Sequence, residues 1–247
     1  MENRNSSSQY LNGLRSSIAS VFKLIHPNNT PYAEVDCIKE FFEAKRKFEF
    51  IIPTKEKFQT WDLDVLTYYT KKKWPATDHN TMSLYYLQIK TILVMCMTTF
   101  GRPRSDVGII LYQDETQVKS QIFGLLKDED LCLVRILHSF IDRTKHLRSS
   151  LPDNHTLFLK FIFDPNKVGS VSPGTVATWI KICMKEAGIN TNKTYKPHSL
   201  RSASSTKAVE NGITIPNVKK HGNLSQQAFT FEKYYLNHIQ PRLPTRK

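Results

Sequence analysis

The stretch that decides the fold is residues 195–236, which read YKPHSLRSASSTKAVENGITIPNVKKHGNLSQQAFTFEKYYL. His198 and Arg201 are three residues apart on a predicted helix, so their side chains share one helical face. Two adjacent tyrosines, Tyr234 and Tyr235, close the stretch behind a second helical segment. An imidazole and a guanidinium stabilise the charge of a phosphodiester, and a tyrosine hydroxyl is a nucleophile for it. These residue types therefore predict a site of phosphoryl transfer.

The same stretch resembles the C-terminal catalytic box of the tyrosine recombinases, the phage-integrase type of DNA strand-transfer enzyme. The shared pattern consists of P-H-S-L-R at 197–201, a small-residue helix at 202–208, Gly212, G-N-L-S at 222–225 and F-E-K-Y-Y-L at 231–236. The sequence is most similar to the recombinases of eukaryotic mobile elements of the DIRS, Ngaro and Crypton kind. The resemblance implies a tyrosine that attacks a DNA phosphate, assisted by two arginines, a histidine, a lysine and a further histidine or tryptophan.

The nucleophile is one of the two adjacent tyrosines. The F-x-x-x-Y pattern and the spacing from the H-x-x-R box favour Tyr235, and Tyr234 is the alternative. A tyrosine hydroxyl has a pKa of about 10, so positive charge has to stabilise its anion before it reacts at neutral pH. The resemblance assigns this role to Arg201 and a second arginine, with His198 donating to the same centre.

The second arginine is expected in the turn at 99–107, TFGRPRSDV, which resembles the first arginine box of the family. Arg102 and Arg104 are both eligible, because one additional residue separates the arginine from the acidic Asp106. We favour Arg102, since Thr99 precedes it at the usual distance. Either guanidinium provides permanently charged, bidentate donation to phosphate oxygens.

Two further catalytic positions match the family pattern less directly. The family carries a lysine at the tip of a β-hairpin after the arginine turn, and the nearest lysine here is Lys119. The closest register places Leu224 where the family has histidine or tryptophan, and leucine cannot donate a hydrogen bond to phosphate. His221, three residues earlier, is the alternative donor.

The charge of the chain indicates a polyanionic partner. Lys and Arg total 35 against 22 acidic residues, a net charge of +13, and residues 191–247 carry +8 of it. The resemblance implies that this partner is double-stranded DNA. The lysines that we assign to DNA contacts are Lys193, Lys196, Lys207, Lys219 and Lys220.

The composition favours a soluble, intracellular protein, and a DNA substrate favours the nucleus. The four cysteines lack the spacing of a zinc site, and we interpret them as core residues of a reducing compartment. The apolar run at 91–100 is too short to span a bilayer. The N-terminus lacks the apolar segment of a signal peptide. The proposed chemistry requires neither a metal nor a cofactor.

The predicted fold is mainly α-helical with a small β-hairpin or sheet. Apolar periodicity predicts helices near 10–22, 35–46, 63–73, 80–97, 130–148 and 175–187, and strand-like runs at 111–124 and 157–163. The resemblance assigns 1–53 to a truncated helical core-binding (SAM-like) domain, 54–60 to a linker and 61–247 to a catalytic domain.

Two classes of function follow. The first is a DNA strand-transfer enzyme of a mobile element, which the family implies would act as a tetramer on DNA. The second is a recombinase-derived DNA-binding protein with lost or weakened catalysis. A type IB topoisomerase shares the chemistry, but the flanking sequence is that of integrases.

Overall fold

The computed structural model describes residues 8–48, 59–112, 127–192, 195–226, 231–232 and 238–239. The chain divides into two compact units, Met1–Glu56 and Lys57–Lys247. The assignment of the first unit to a truncated core-binding domain stays a prediction.

The described part of the first unit, residues 8–48, contains two helices, α1 (Ser8–Ile25) and α2 (Asp36–Phe48), with a 3-10 turn at Tyr32–Glu34 between them. An ion pair of 2.6 Å joins Lys23 of α1 to Glu34 of the turn. Both helices are slightly longer than the predicted segments, because the apolar periodicity marks the helical face and not the polar residues that end it.

The second unit is built from six α-helices in its described part. They are α3 (Leu63–Lys73), α4 (Leu84–Thr99), α5 (Leu133–Arg148), α6 (Pro173–Glu186), α7 (Ser199–Glu210) and α8 (Ile215–His221). Short 3-10 turns lie at Ala76–Asp78, Val107–Ile109 and Glu129–Leu131. The start of α3 is confirmed, since the Asp62 carboxylate accepts a hydrogen bond from the backbone N–H of Asp64.

Helix α4 is the centre of the core. Every residue from Leu87 to Met97 is buried, and α5, α6 and α7 pack around the helix. The helix begins later than the predicted Asn80–Thr81, because the hydroxyl of Ser83 caps it by accepting from the N–H of Tyr86. No helix in the described ranges is both long and apolar enough to cross a membrane.

The β-structure is small. Strand β1 (Gln59–Thr60) pairs in parallel with β4 (His238–Ile239), and β2 (Leu159–Lys160) pairs antiparallel with β3 (Gly169–Ser170). The buried Gln88 side chain fixes β2 to α4, because it both donates to and accepts from the backbone of Leu159. The predicted mainly α-helical fold with a small β element is therefore confirmed.

A lysine is fully buried in the middle of α4. The Lys90 ammonium donates to the Trp74 carbonyl at 2.5 Å and lies 2.7 Å from Nε2 of the buried His79. Burial lowers the pKa of Lys90 to about 8. Burial, followed by the charge of Lys90, also lowers the pKa of His79. The neutral imidazole thus accepts a hydrogen bond, and protonating it would bring two cations together.

We expect the protein to lose stability as the pH falls below about 6.5, the ordinary pKa of histidine. The pKa of His79 is lowered in the folded state, so protonation of the imidazole favours the unfolded chain. The contribution of His79 to the free energy of unfolding is therefore fully present above this pH and is lost as the pH falls. His79→Gln keeps an acceptor for Lys90 without a titrating group and should flatten the pH dependence. Urea denaturation at pH 7.5 and at pH 5.5 measures this pH dependence of the free energy of unfolding.

The matched control is His138→Gln, which replaces an exposed histidine of α5. It should leave the difference in unfolding free energy between the two pH values unchanged. An equal pH dependence in the wild type and in His79→Gln would contradict the buried-imidazole explanation.

Candidate functional site

The first side of the site is the turn that follows α4. Phe100 has a left-handed backbone with φ of 54°, which ends the helix and turns the chain toward Arg102. A Cβ atom on Gly101 would lie 2.8 Å from both Thr99 Oγ1 and Val107 Cγ2. Any larger residue would require the Thr99 and Val107 side chains to shift, so the predicted arginine box is a tightly closed turn.

The carboxylate of Asp106 closes this turn. It accepts hydrogen bonds from the backbone N–H of Arg102 at 2.9 Å and from its Nε at 3.2 Å, and it lies 3.0 Å from Nη2. Partial burial raises the pKa of Asp106, but the hydrogen bonds and charge of Arg102 outweigh this effect and hold the pKa below its ordinary value. The carboxylate therefore stays ionised at neutral pH.

The second side of the site is the first turn of α7. The small residues at 202–206 are buried, which lets α7 pack closely on α4. The indole N–H of Trp61 donates to the Ser199 hydroxyl at 3.0 Å and fixes the start of the helix. These contacts aim Arg201, three residues after His198, at the arginine turn.

Arg201 joins three segments of the chain. Its Nη1 donates to Asp106 Oδ2 at 3.1 Å, and its Nη2 donates to the carbonyl of Gly222, after the end of α8, at 2.6 Å. The Arg201 side chain is only 7% exposed, whereas that of Arg102 is 50% exposed. One carboxylate thus holds a buried and an exposed guanidinium side by side.

A pocket of about 510 Å³ opens beside this pair. Five basic residues line it: Arg102, Arg104, Lys181, Lys196 and His198. Thr191, Asn192 and Tyr195 contribute polar groups to the same wall. No acidic side chain lines the described part of this pocket, so its electrostatic potential suits an anion.

Sequence reasoning missed Lys181. This residue is exposed on α6 and lines the pocket together with the arginine turn. The available signal was its polar position within the apolar run at 179–184. That signal predicts exposure to solvent and does not identify which surface the side chain faces.

His221 is not among the residues that line this pocket. Its Nε2 donates to the Thr98 carbonyl at 2.6 Å, and its ring packs edge-on against Phe100 at 4.9 Å between centroids. Leu224 packs into the small apolar cluster of Phe100, Val218 and Phe231. The structure thus commits the Nε2 proton of His221 to α4 and gives Leu224 an apolar role.

The lysines assigned to DNA occupy two kinds of environment. Lys207 is paired with Asp64 at 2.6 Å, which raises its pKa, and the buried Lys219 is paired with Glu232 at 2.7 Å. Lys196 and Lys220 are exposed. Lys196 and Lys220 are therefore more accessible to a binding partner than the ion-paired Lys207 and Lys219.

Four predicted site residues lie outside the described residues: Lys119, Lys193, Tyr234 and Tyr235. The chain just before the tyrosines is described. Phe231 and Glu232 are helical, Phe231 is 1% exposed, and Glu232 is held by Lys219. These contacts anchor residues 231–232 next to the turn that carries His221 and Gly222.

The fold of the chain is also found among solved structures. A similar structure is that of the XerA recombinase, with 17% sequence identity, a TM-score of 0.51, and coverage of 97% of this chain and 81% of that chain. The chain thus has the tyrosine recombinase fold, as the sequence resemblance implied. No protein-family model and no curated protein matches the chain.

Asp106→Asn should lower the free energy of unfolding by roughly 2–3 kcal/mol. The substitution leaves the buried Arg201 guanidinium without its anion and weakens the closure of the arginine turn. Glu129→Gln is the control, because it neutralises a carboxylate in an exposed ion pair with Arg135. Chemical denaturation should show that this control lowers the free energy of unfolding by at most about 0.5 kcal/mol. Equal losses in the two variants would contradict a structural role for Asp106.

Proposed function

We propose that the protein cleaves and rejoins DNA strands through a 3′-phosphotyrosyl intermediate, as a site-specific recombinase or integrase of a mobile element. The observation that carries this proposal is the pairing of Arg102 and Arg201 on Asp106, beside a basic pocket that His198 also lines. The fold shared with the XerA recombinase supports it.

In the proposed reaction, the hydroxyl of Tyr235 gives its proton to His198 and attacks the phosphorus of the scissile phosphate. The bond between phosphorus and the 5′ oxygen breaks as the bond to the tyrosine oxygen forms. The leaving oxygen takes a proton, for which we assign Lys119, and becomes a free 5′-hydroxyl. Attack by a second 5′-hydroxyl reverses these steps and regenerates the tyrosine, so the cycle consumes no ATP.

The arginines and the histidine stabilise this reaction electrostatically. Arg102 donates to the non-bridging phosphate oxygens, whose charge increases in the transition state. Arg201 joins it only if DNA binding exposes its guanidinium, which is 7% exposed and bonded to Asp106 and Gly222. His198 exchanges a proton with the same centre. His221 fills the remaining donor position only if its hydrogen bond to Thr98 is exchanged for one to phosphate.

The partner that we propose is double-stranded DNA, bound mainly through its phosphates. Lys196 and Lys220 are exposed and are assigned to phosphate contacts, together with Lys193. Lys207 and Lys219 join them only if their ion pairs open. We further assign the protein to the nucleus, to a tetramer on two duplexes, and to mobile elements of the DIRS, Ngaro and Crypton kind.

A second candidate function is a DNA-binding protein that has lost or weakened its catalysis. The observation that favours it is Leu224, an apolar residue packed beside the site where the family has a phosphate donor. The commitment of His221 Nε2 to the Thr98 carbonyl points the same way. This protein would retain salt-dependent DNA binding without cleavage.

Covalent trapping tests the first function. A pool of nicked duplexes with randomised arms is incubated with the protein, so that cleavage near the nick releases a short strand and traps the adduct. We expect adducts on denaturing gels with the wild type and with Tyr234→Phe, and none with Tyr235→Phe. Sequencing the trapped DNA would identify the target.

Each other outcome has a defined meaning. Adducts lost only in Tyr234→Phe would reassign the nucleophile to Tyr234. The absence of adducts from a pool that the protein binds in a salt-sensitive manner would reject the enzyme and support the DNA-binding alternative. The absence of both adducts and binding would reject both functions.

The two arginines of the turn form a matched pair of variants. Arg102→Ala should slow adduct formation about 100-fold, because it removes a donor to the developing phosphate charge. Arg104→Ala should slow it by less than about tenfold, since Arg104 takes no part in the hydrogen bonds to Asp106 within the described residues. Circular dichroism establishes that both variants fold, and the reverse order of effects would assign the role to Arg104.

A further inference from the structure

A second pocket, of about 620 Å³, lies between α3 and the C-terminal end of α6. Glu186, which lines it, is nine residues after Ala177 of the basic pocket. Nine residues correspond to two and a half helical turns at about 3.6 residues per turn, so the two pockets lie on opposite flanks of α6. The second pocket is therefore separate from the proposed cleavage site.

Hydrogen bonds, ring contacts and an ion pair join the residues of one wall of this pocket. The Lys73 ammonium donates to the Tyr69 hydroxyl at 2.8 Å, lies 5.2 Å from the ring centroids of Tyr69 and Trp74, and pairs with Glu186. The Tyr69 hydroxyl donates to Glu186. Burial, followed by this hydrogen bond, raises the pKa of Tyr69 above its ordinary value, so the phenol stays protonated.

Both carboxylates that line the pocket have cationic partners within the protein. Glu186 is held by Lys73 and Tyr69, and Asp64 is paired at 2.6 Å with Lys207, which also lies 3.7 Å from Asp62. Lys72 also lines the pocket, is exposed, and makes no ion pair with any described residue. Its ammonium is therefore available to an anionic group of a ligand.

An exposed aromatic ring stands next to this charge. Tyr68 is 67% exposed and lies four residues before Lys72, so both side chains project from the same face of α3. A ring that can stack on a base, one helical turn from an ammonium that can reach a phosphate, is the combination found in single-strand binding sites. A paired base in a duplex has no free face for this stacking.

We propose that this pocket binds unpaired nucleotides of single-stranded DNA or RNA, with Tyr68 stacking on a base and Lys72 contacting a phosphate. The proposal rests on the proposed function only for the source of the strand, because strand exchange separates paired bases near the cleavage point. Binding itself requires none of the catalytic residues. Experiments can therefore reject single-strand binding and DNA cleavage independently of each other.

Fluorescence anisotropy with labelled ten-nucleotide oligo(dT) and oligo(rU) tests the site. Tyr68→Ala should weaken binding about tenfold through the loss of one stacking contact. Lys72→Ala should weaken it and reduce the slope of log affinity against log salt by about 0.7, as expected for one phosphate contact. The controls are Phe163→Ala and Lys145→Ala, which remove an exposed aromatic and an exposed lysine elsewhere.

Unchanged affinity in both pocket variants, or equal losses in the controls, would overturn the proposal. Equally tight binding of poly-glutamate that the same variants abolish would also overturn it, because the pocket would then recognise an acidic peptide. A preference for oligo(dT) or for oligo(rU) supports the site and names the source of the strand. Tyr68→Ala should still form duplex adducts, and Tyr235→Phe should still bind oligo(dT), which separates this result from the cleavage experiment.

Discussion

The carboxylate of Asp106 holds together two guanidinium groups that would otherwise repel each other. Arg201 reaches it from a position 95 residues later in the chain, and Arg102 from the same turn. A guanidinium as deeply buried as that of Arg201 requires an anion and further acceptors, which Asp106 and the Gly222 carbonyl provide. Asp106 therefore links the arginine turn to α7, and Arg201 links both to the end of α8.

The arginine turn follows the C-terminal end of helix α4, and the sheet of β2 and β3 contacts the N-terminal half of the same helix. Gln88 binds β2 in the first half of the helix, and the Thr98 carbonyl binds His221 near its last residue. Ten residues of helix separate the two contacts by about 15 Å. The β2–β3 strands thus brace the core, and the site is assembled at the opposite end from loop and helix termini.

The sequence predicted what depends on local pattern. Apolar periodicity predicted a helix near 63–73, and α3 spans Leu63–Lys73, because this signal lies within the element that it defines. The approach of Arg201 to Gly222 and the position of Lys181 in the pocket depend on packing between helices distant in sequence. Ser83 was missed as a cap because Asn80 and Thr81 offer the same chemistry nearby.

The exposed residues distinguish a functional site from a purely structural one. The Asp106 ion pairs stabilise the fold, so a protein that had lost its catalysis would still need them. Lys181, Lys196 and His198 are exposed and converge on a pocket without an acidic side chain among its described lining residues. Ammonium groups that line one pocket attract an anion into it. This arrangement supports the proposal that the pocket binds phosphate.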